Sequence, residues 1–270
     1  MILMSESCDG FIEIDGYRIH YARWGEHGTN LVILHSMGMD AHSMDLLGEA
    51  LSTDHRILAL TILAHGDSSM PREFVPLPNH AELMRQAYVT LGFSPCVLIG
   101  HSIGGMMGMI LAAEHPSEVK ALVLVDIVPP DPSPRPWSSP PAQTFRSRQE
   151  ALEHLRNRYP RFAPQYIENR LQYGFSYEVD GSLRTKPMGD ARMVSYSTDL
   201  WPYVSRIRIP TLLIVGSEST LVTSEKQTRM KDRIPNLTTE TIRGAGHMVP
   251  QEKPAEFEEA VKTFLSTVKA

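Results

Sequence analysis

A chain of 270 residues, 42% of them hydrophobic, carries enough apolar material for one large core, or for one core with an inserted subdomain. The formal net charge of −5 provides no basic stripe to neutralise phosphates, which argues against a nucleic-acid partner. No run approaches the ~18 uninterrupted apolar residues of a membrane span, so no membrane association is expected.

Short apolar runs alternate with helical patterns along the chain, which predicts an α/β fold with a mainly parallel sheet covered by helices on both faces. The predicted strands are Phe11–Ile14, Arg18–Trp24, Leu31–His35, Arg56–Thr61, Cys96–Gly100, Ala121–Asp126, Thr211–Gly216 and Thr238–Ile242. Asp15-Gly16 between the first two marks a hairpin turn. Helices are predicted over Ala41–Leu51, Pro78–Leu91, Ser102–His115 and Pro254–Lys269. From Pro129 to Trp201 the alternation breaks. A proline-rich stretch, Pro129 to Pro136 and then Ser138 to Pro141, leads into two amphipathic helical segments, Arg148–Arg158 and Ala163–Tyr173. Glu178 to Leu183 then has the look of a hairpin. This organisation implies a core of residues 1–128 and 202–270 with a mostly helical cap inserted at 129–201.

Cys8 and Cys96 are far apart, and Cys96 falls in a predicted buried strand, so no disulfide framework is expected. Met1 to Glu6 has no basic region and too short an apolar stretch for a secretory leader, and the expected location is cytoplasmic. No Cys-x-x-Cys, His-Glu-x-x-His or phosphate-loop pattern is present, so neither a metal nor another cofactor is expected. The sequence does not speak to oligomeric state.

The stretch Gly100-His101-Ser102-Ile103-Gly104 stands between a predicted strand and a predicted helix. There a Gly-x-Ser-x-Gly pattern has a mechanical meaning. The serine occupies a sharp, strained turn, and the glycines remove Cβ atoms that would clash. Its hydroxyl then projects above the sheet beside the positive end of the following helix.

Together with this elbow, His35-Ser36-Met37-Gly38, Ala64 to Ser69, and Gly244-Ala245-Gly246-His247-Met248-Val249-Pro250 give the chain its resemblance to the α/β-hydrolase superfamily over nearly its whole length. The resemblance implies an eight-stranded, mainly parallel sheet with Ser102 as nucleophile and His247 as general base. A serine hydroxyl attacks well only when a base takes its proton, and an imidazole suits that task near neutral pH. His35 and His65 occupy positions where the family places loop-bracing histidines, and the side chain of His101 leaves the elbow in another direction. By the same resemblance, the main-chain amides of Met37 and Ile103 form the oxyanion hole. Ser36 departs from the family's usual glycine, without removing a backbone donor.

The triad acid is the largest departure. The family's usual aspartate positions, after the strand ending at Gly216, hold Ser219 and Thr220. Two carboxylates remain as candidates to fix the imidazole tautomer. Asp126 ends the strand after the elbow helix, a position that a minority of the family, some lactone hydrolases among them, uses for its acid. Glu218 lies on the usual loop. Asp126 is favoured, with Glu218 as the alternative. The substrate pocket is expected to be mainly apolar, with Ser36, Met106, Trp137, Phe145 and Met248 as candidate lining residues.

These readings lead to a cofactor-free serine hydrolase acting on a small, mainly apolar carboxylic ester or lactone. A carbon–carbon bond hydrolase of dienoic ring-cleavage products is the second reading, since such relatives share the triad and cap but add an arginine for a substrate carboxylate. A non-catalytic ligand-binding protein on the same scaffold is the third. Haloalkane dehalogenase and epoxide hydrolase relatives are disfavoured because they carry aspartate at the elbow.

Overall fold

The computed structural model describes residues 7–131, 141–189 and 198–268. β1 (Cys8–Ile14) and β2 (Tyr17–Trp24) form the expected hairpin, with Asp15 and Gly16 both at positive φ in the turn. β3 (Thr29–Leu34) runs into a 3₁₀ turn at Ala41–Met44 and then α1 (Asp45–Leu51), where the sequence predicts one continuous helix. β4 (His55–Leu60), α2 (Leu77–Thr90), β5 (Cys96–His101), α3 (Ile103–Glu114) and β6 (Val119–Val125) follow.

After the segment inserted behind β6, the alternation resumes at β10 (Thr211–Gly216), α7 (Ser224–Lys231), β11 (Leu237–Ile242), α8 (Val249–Glu252) and α9 (Pro254–Thr267). The insertion itself contains β7 (Thr144–Phe145), α4 (Arg148–Arg158), α5 (Pro164–Tyr173), β8 (Phe175–Tyr177) and β9 (Leu183–Thr185), with the short α6 (Trp201–Val204) leading back to the sheet.

Eight strands form one sheet in the order β1-β2-β4-β3-β5-β6-β10-β11, antiparallel at β1-β2 and β2-β4 and parallel elsewhere. Central strands read as unbroken apolar runs because helices cover both faces. Leu98 of β5 and Leu122 and Leu124 of β6 face a cluster with Met84 of α2 and Met107 and Ile110 of α3. The alternate residues Val97, Ile99, Val123 and Val125 face the opposite cluster, with Leu47 of α1 and Phe257 and Val261 of α9. At the edge, β11 shows Thr238 to Thr241 to solvent and buries only its ends. Because the parallel strands share a direction, the loops after β3, β5, β6, β10 and β11 gather at one edge.

The inserted segment has its own apolar cluster, in which Phe145, Leu152, Leu155, Ile167, Leu171, Phe175 and Leu183 pack together. It is less purely helical than the sequence predicts, since β7, β9 and β8 form a small antiparallel sheet in that order. The predicted hairpin at Glu178 to Leu183 is the turn joining β8 to β9, closed by Glu178 and Ser182. Ser147 caps α4 by accepting from the Glu150 N–H, and Pro164 opens α5 where no intrahelical donor is lost.

This segment rests on loops at the carboxyl edge of the sheet. Arg170 of α5 donates to Asp40 at 2.6 Å and to the Gly38 carbonyl at 2.8 Å, with both charged side chains buried. Asn169 donates to Asp45, Lys186 pairs with Asp67, and the Gly66 N–H donates to the Pro187 carbonyl. Burial opposes the charge of Asp40, yet the guanidinium of Arg170 holds its carboxyl below the ordinary value.

Removing one member of a buried pair strands the other charge, and Arg170→Met is therefore expected to destabilise the fold by roughly 3–5 kcal/mol in urea unfolding. Adding Asp40→Asn to that variant should recover part of the loss. A second expectation concerns acid. His80 of α2 is fully buried with neither ring nitrogen paired among the described residues, and burial pushes it down from 6.5 to about 4. Between those values the unfolded chain binds a proton that the folded chain refuses. Its contribution is thus fully present above pH 6.5 and is lost as pH falls toward 4, by on the order of 3 kcal/mol. His80→Leu should flatten that part of the stability–pH profile, as read from unfolding midpoints over the same range.

Candidate active site

Ser102 stands alone between β5 and α3 with φ 53° and ψ −115°, a conformation that costs an L-residue free energy. Its N–H donates to the Val125 carbonyl at 3.1 Å, and its carbonyl accepts from Met106 N–H at 3.0 Å. The turn is sharp enough to demand glycine on both sides. A Cβ on Gly104 would lie 2.2 Å from the Leu34 carbonyl oxygen, and one on Gly100 would lie 2.5 Å from that of Gly104. His101 and Ile103 are buried, whereas Ser102 between them reaches solvent and sits ahead of the first turn of α3.

Asp126 follows β6 directly and is fully buried, also at positive φ. Its main-chain N–H donates to the Ile214 carbonyl, which fixes it against β10. One carboxylate oxygen accepts from the Gly216 N–H at 3.0 Å. The other accepts from the Ser219 hydroxyl at 2.6 Å and lies 2.8 Å from Nδ1 of His247. An imidazole that donates from Nδ1 to a carboxylate keeps Nε2 as its basic nitrogen. His247 is 30% exposed in its side chain, enough to meet a substrate.

Glu218 is elsewhere engaged. Its carboxylate is 55% exposed and accepts from Arg161 at 2.6 Å. Arg161 also reaches the Gly244 carbonyl and Glu252, so this group braces the loops that carry Glu218 and His247 against the inserted segment. Of the two carboxylates weighed in the sequence, Asp126 is the one against the imidazole. Ser219 stands at one of the family's usual aspartate positions, and its hydroxyl donates to the Asp126 carboxylate at the end of the neighbouring strand.

The three other histidines weighed in the sequence, His35, His65 and His101, have structural partners. His35 spans the Ser36 carbonyl and the Ile62 N–H, and burial pushes it down to about 4. Nδ1–H of His65 donates to the Leu63 carbonyl at 3.0 Å, and burial, then the proximity of His35, lowers it well below its ordinary value. His101 points Nε2 at the His247 carbonyl at 2.9 Å, and burial, followed by the neighbouring His247, lowers it well below its ordinary value. It supports the backbone of the histidine loop from beneath.

The loop after β3 turns at Gly38, which has φ 79° and whose carbonyl is the one held by Arg170. Among the described residues, the main-chain N–H groups of Met37 and Ile103 take no acceptor. Ser36 is buried, with its hydroxyl 3.4 Å from the Met37 carbonyl and 3.7 Å from the sulfur of Met248. Met106 is buried in the first turn of α3, while Met37 and Met248 are partly exposed. Phe145 is a different case. It packs against Phe175 and His154 inside the inserted segment's own cluster, a structural position set by the small sheet there. Trp137 lies outside the described residues.

Residues 29–254 match the family described as alpha/beta hydrolase fold. The sn-1-specific diacylglycerol lipase ABHD11 of Mus musculus is 26% identical over 253 residues, covering 87% of this chain and 80% of that protein. Esterase YbfF of Escherichia coli is 26% identical over 260 residues, covering 92% of this chain and 98% of the relative. In three dimensions the crystal structure of E-2-(acetamidomethylene)succinate hydrolase is similar with a TM-score of 0.83 at 21% identity, over 97% of this chain and 100% of that one. With the family match spanning most of its length and the eight-stranded sheet in place, this chain belongs to the alpha/beta hydrolase fold family.

Proposed function

We propose that this chain is a serine hydrolase that needs no cofactor and cleaves a small, mainly apolar carboxylic ester or lactone through an acyl-enzyme on Ser102. The observation that carries this reading is the buried Asp126 carboxylate 2.8 Å from Nδ1 of His247, at the sheet edge where the elbow presents Ser102. His247 Nε2 takes the Ser102 proton as the hydroxyl oxygen attacks the substrate carbonyl carbon. The resulting oxyanion is stabilised by the N–H groups of Met37 and Ile103, each such donor being worth about 10²–10³ in rate in related chemistry. His247 then protonates the leaving alkoxide, and the same imidazole deprotonates the water that releases the acid. Asp126 stabilises the imidazolium formed in both steps without taking its proton.

Two features favour an ester or lactone over a dienoate. Met37 and Met248 offer adaptable apolar surface beside the proposed oxyanion hole. A dienoate hydrolase needs a free cation for the substrate carboxylate, and the inserted segment's inward arginine, Arg170, is already neutralised by Asp40. Arg146, Arg148, Arg156 and Arg158 are exposed, and Arg192 lies outside the described residues. Relatives named as an esterase and a lipase agree with ester chemistry. In this reading the segment 129–201 is a cap that roofs the site and selects substrates, tied to the oxyanion loop through Arg170.

A fluorophosphonate probe should label the chain once, and Ser102→Ala should abolish the label; labelling that survives the substitution overturns the nucleophile. Asp126→Asn keeps the size of the acid but favours the wrong tautomer, so turnover of a nitrophenyl ester should fall by about 10³–10⁴-fold with the fold intact. Glu218→Gln, which alters only the brace to Arg161, should cost about tenfold or less. The opposite ranking of these two variants would reverse the assignment of the acid. Turnover of a dienoate above that of short esters would favour the carbon–carbon reading.

A further inference from the structure

Three side chains from three separate elements converge at one point beside the β1-β2 hairpin. Asp9 comes from β1, His20 from β2, and His42 from the 3₁₀ turn after β3. One ligand atom from each lies within 4.8 Å of the other two. Nε2 of His42 is 3.2 Å and Nε2 of His20 is 3.9 Å from the same carboxylate oxygen of Asp9. We propose that Asp9, His20 and His42 form a binding site for a divalent transition-metal ion of the Zn²⁺ class, separate from the Ser102–His247–Asp126 group.

The ligand chemistry fits such an ion. Two imidazoles and one carboxylate suit Zn²⁺, Co²⁺ or Ni²⁺ better than Mg²⁺ or Ca²⁺, which take oxygen donors. Metal–ligand bonds of about 2.0–2.2 Å in a tetrahedron put ligand atoms about 3.3 Å apart. The 3.2 Å separation already meets that spacing, and the 3.9 Å separation closes with a small swing of Asp9. Asp9 is 45% exposed and free to pivot, whereas the two histidines are buried and held in place.

The surroundings of each imidazole orient it for this task. Nδ1 of His42 lies 3.1 Å from the Asp45 carboxylate, the arrangement that leaves Nε2 as the free, more basic donor toward a metal. Nδ1 of His20 lies 2.9 Å from the Thr61 hydroxyl, which is itself fixed by the Ala41 N–H at 3.0 Å. The His42 ring stacks on Tyr173 of α5 at 3.5 Å and 7°, so its plane has little freedom. Charge points the same way. Asp40 and Asp67 nearby are neutralised by Arg170 and Lys186, but Asp9 and Asp45 have no lysine or arginine partner among the described residues. A divalent ion would balance these two carboxylates and tie the β1-β2 hairpin to the 3₁₀ turn, whose His42 packs against Tyr173 of α5.

The test is a titration of the metal-stripped protein with ZnCl₂, followed by calorimetry. One Zn²⁺ per chain is expected, with a dissociation constant on the order of 1 μM or below. Asp9→Asn, an exposed change that spares the fold, and His42→Ala should each weaken binding about 100-fold or more, and Asp45→Asn about 10–100-fold. His247→Ala should leave stoichiometry and affinity unchanged, which separates this site from zinc captured by the proposed catalytic imidazole. Zn²⁺ should also raise the unfolding midpoint of the wild-type protein and of His247→Ala but not of Asp9→Asn, because a ligand that binds only the folded state stabilises it. Absence of saturable binding below about 1 mM Zn²⁺ overturns the proposal, as does binding that survives both Asp9→Asn and His42→Ala unchanged.

Discussion

A carboxylate taken fully out of water must have its oxygens filled, and the way Asp126 meets that demand organises the carboxyl edge of the sheet. Its partners come from three places: the end of β10 through Gly216, the loop beyond it through Ser219, and the loop after β11 through His247. Together these donors pin the end of β10, the loop that follows it and the loop after β11 to the end of β6. Loss of any one would leave a buried negative charge short of a partner, so the loops cannot drift apart cheaply. The imidazole is oriented as a by-product of satisfying the acid.

The elbow depends on the same edge. Ser102 is held in its unfavourable backbone conformation by a hydrogen bond to Val125, the residue just before Asp126. Strain at Ser102 and satisfaction at Asp126 thus share one strand end, β6. Strain of this kind persists only where the surroundings over-determine it, and here the backbones of Leu34, Gly100 and Gly104 approach so closely that a Cβ on either glycine would clash. The backbone that carries the Ser102 hydroxyl is thus fixed in advance, which is the preorganisation the proposed chemistry draws on.

The arginines that reach this edge are each matched by carboxylates. Arg170 is spent on Asp40 and the Gly38 carbonyl, and Arg161 on Glu218, Glu252 and the Gly244 carbonyl. Both arginines belong to the inserted segment, and both reach loops that the proposed mechanism uses. The segment is consequently coupled to the site through geometry, and not by lending it a cation. Burial adds to this neutrality, since His35, His65 and His101 are all held below their ordinary values by loss of water.

Much of this was legible in the sequence because it depends on local order. Apolar runs of strand length, the Asp15-Gly16 turn and the Gly-x-Ser-x-Gly elbow are set by neighbours along the chain, and the eight sheet strands fall where the pattern puts them. Pairwise encounters between distant residues carry no such local mark. Asp126 and Glu218 were both plausible acids by position, and only the register of β6 beside β10 brings Asp126 under His247 while Arg161 draws Glu218 away. Phe145, an apolar residue equally suited to a pocket, is claimed by the small sheet of the inserted segment. The convergence of residues 9, 20 and 42 on one point likewise has no spacing signature, because it follows from strand pairing and the turn after β3. The sequence by itself determined the class of fold and the elbow serine, through periodicity and backbone stereochemistry. Tertiary structure decided which carboxylate meets the imidazole and which arginines are spent, because those outcomes depend on distances that only the packed sheet creates.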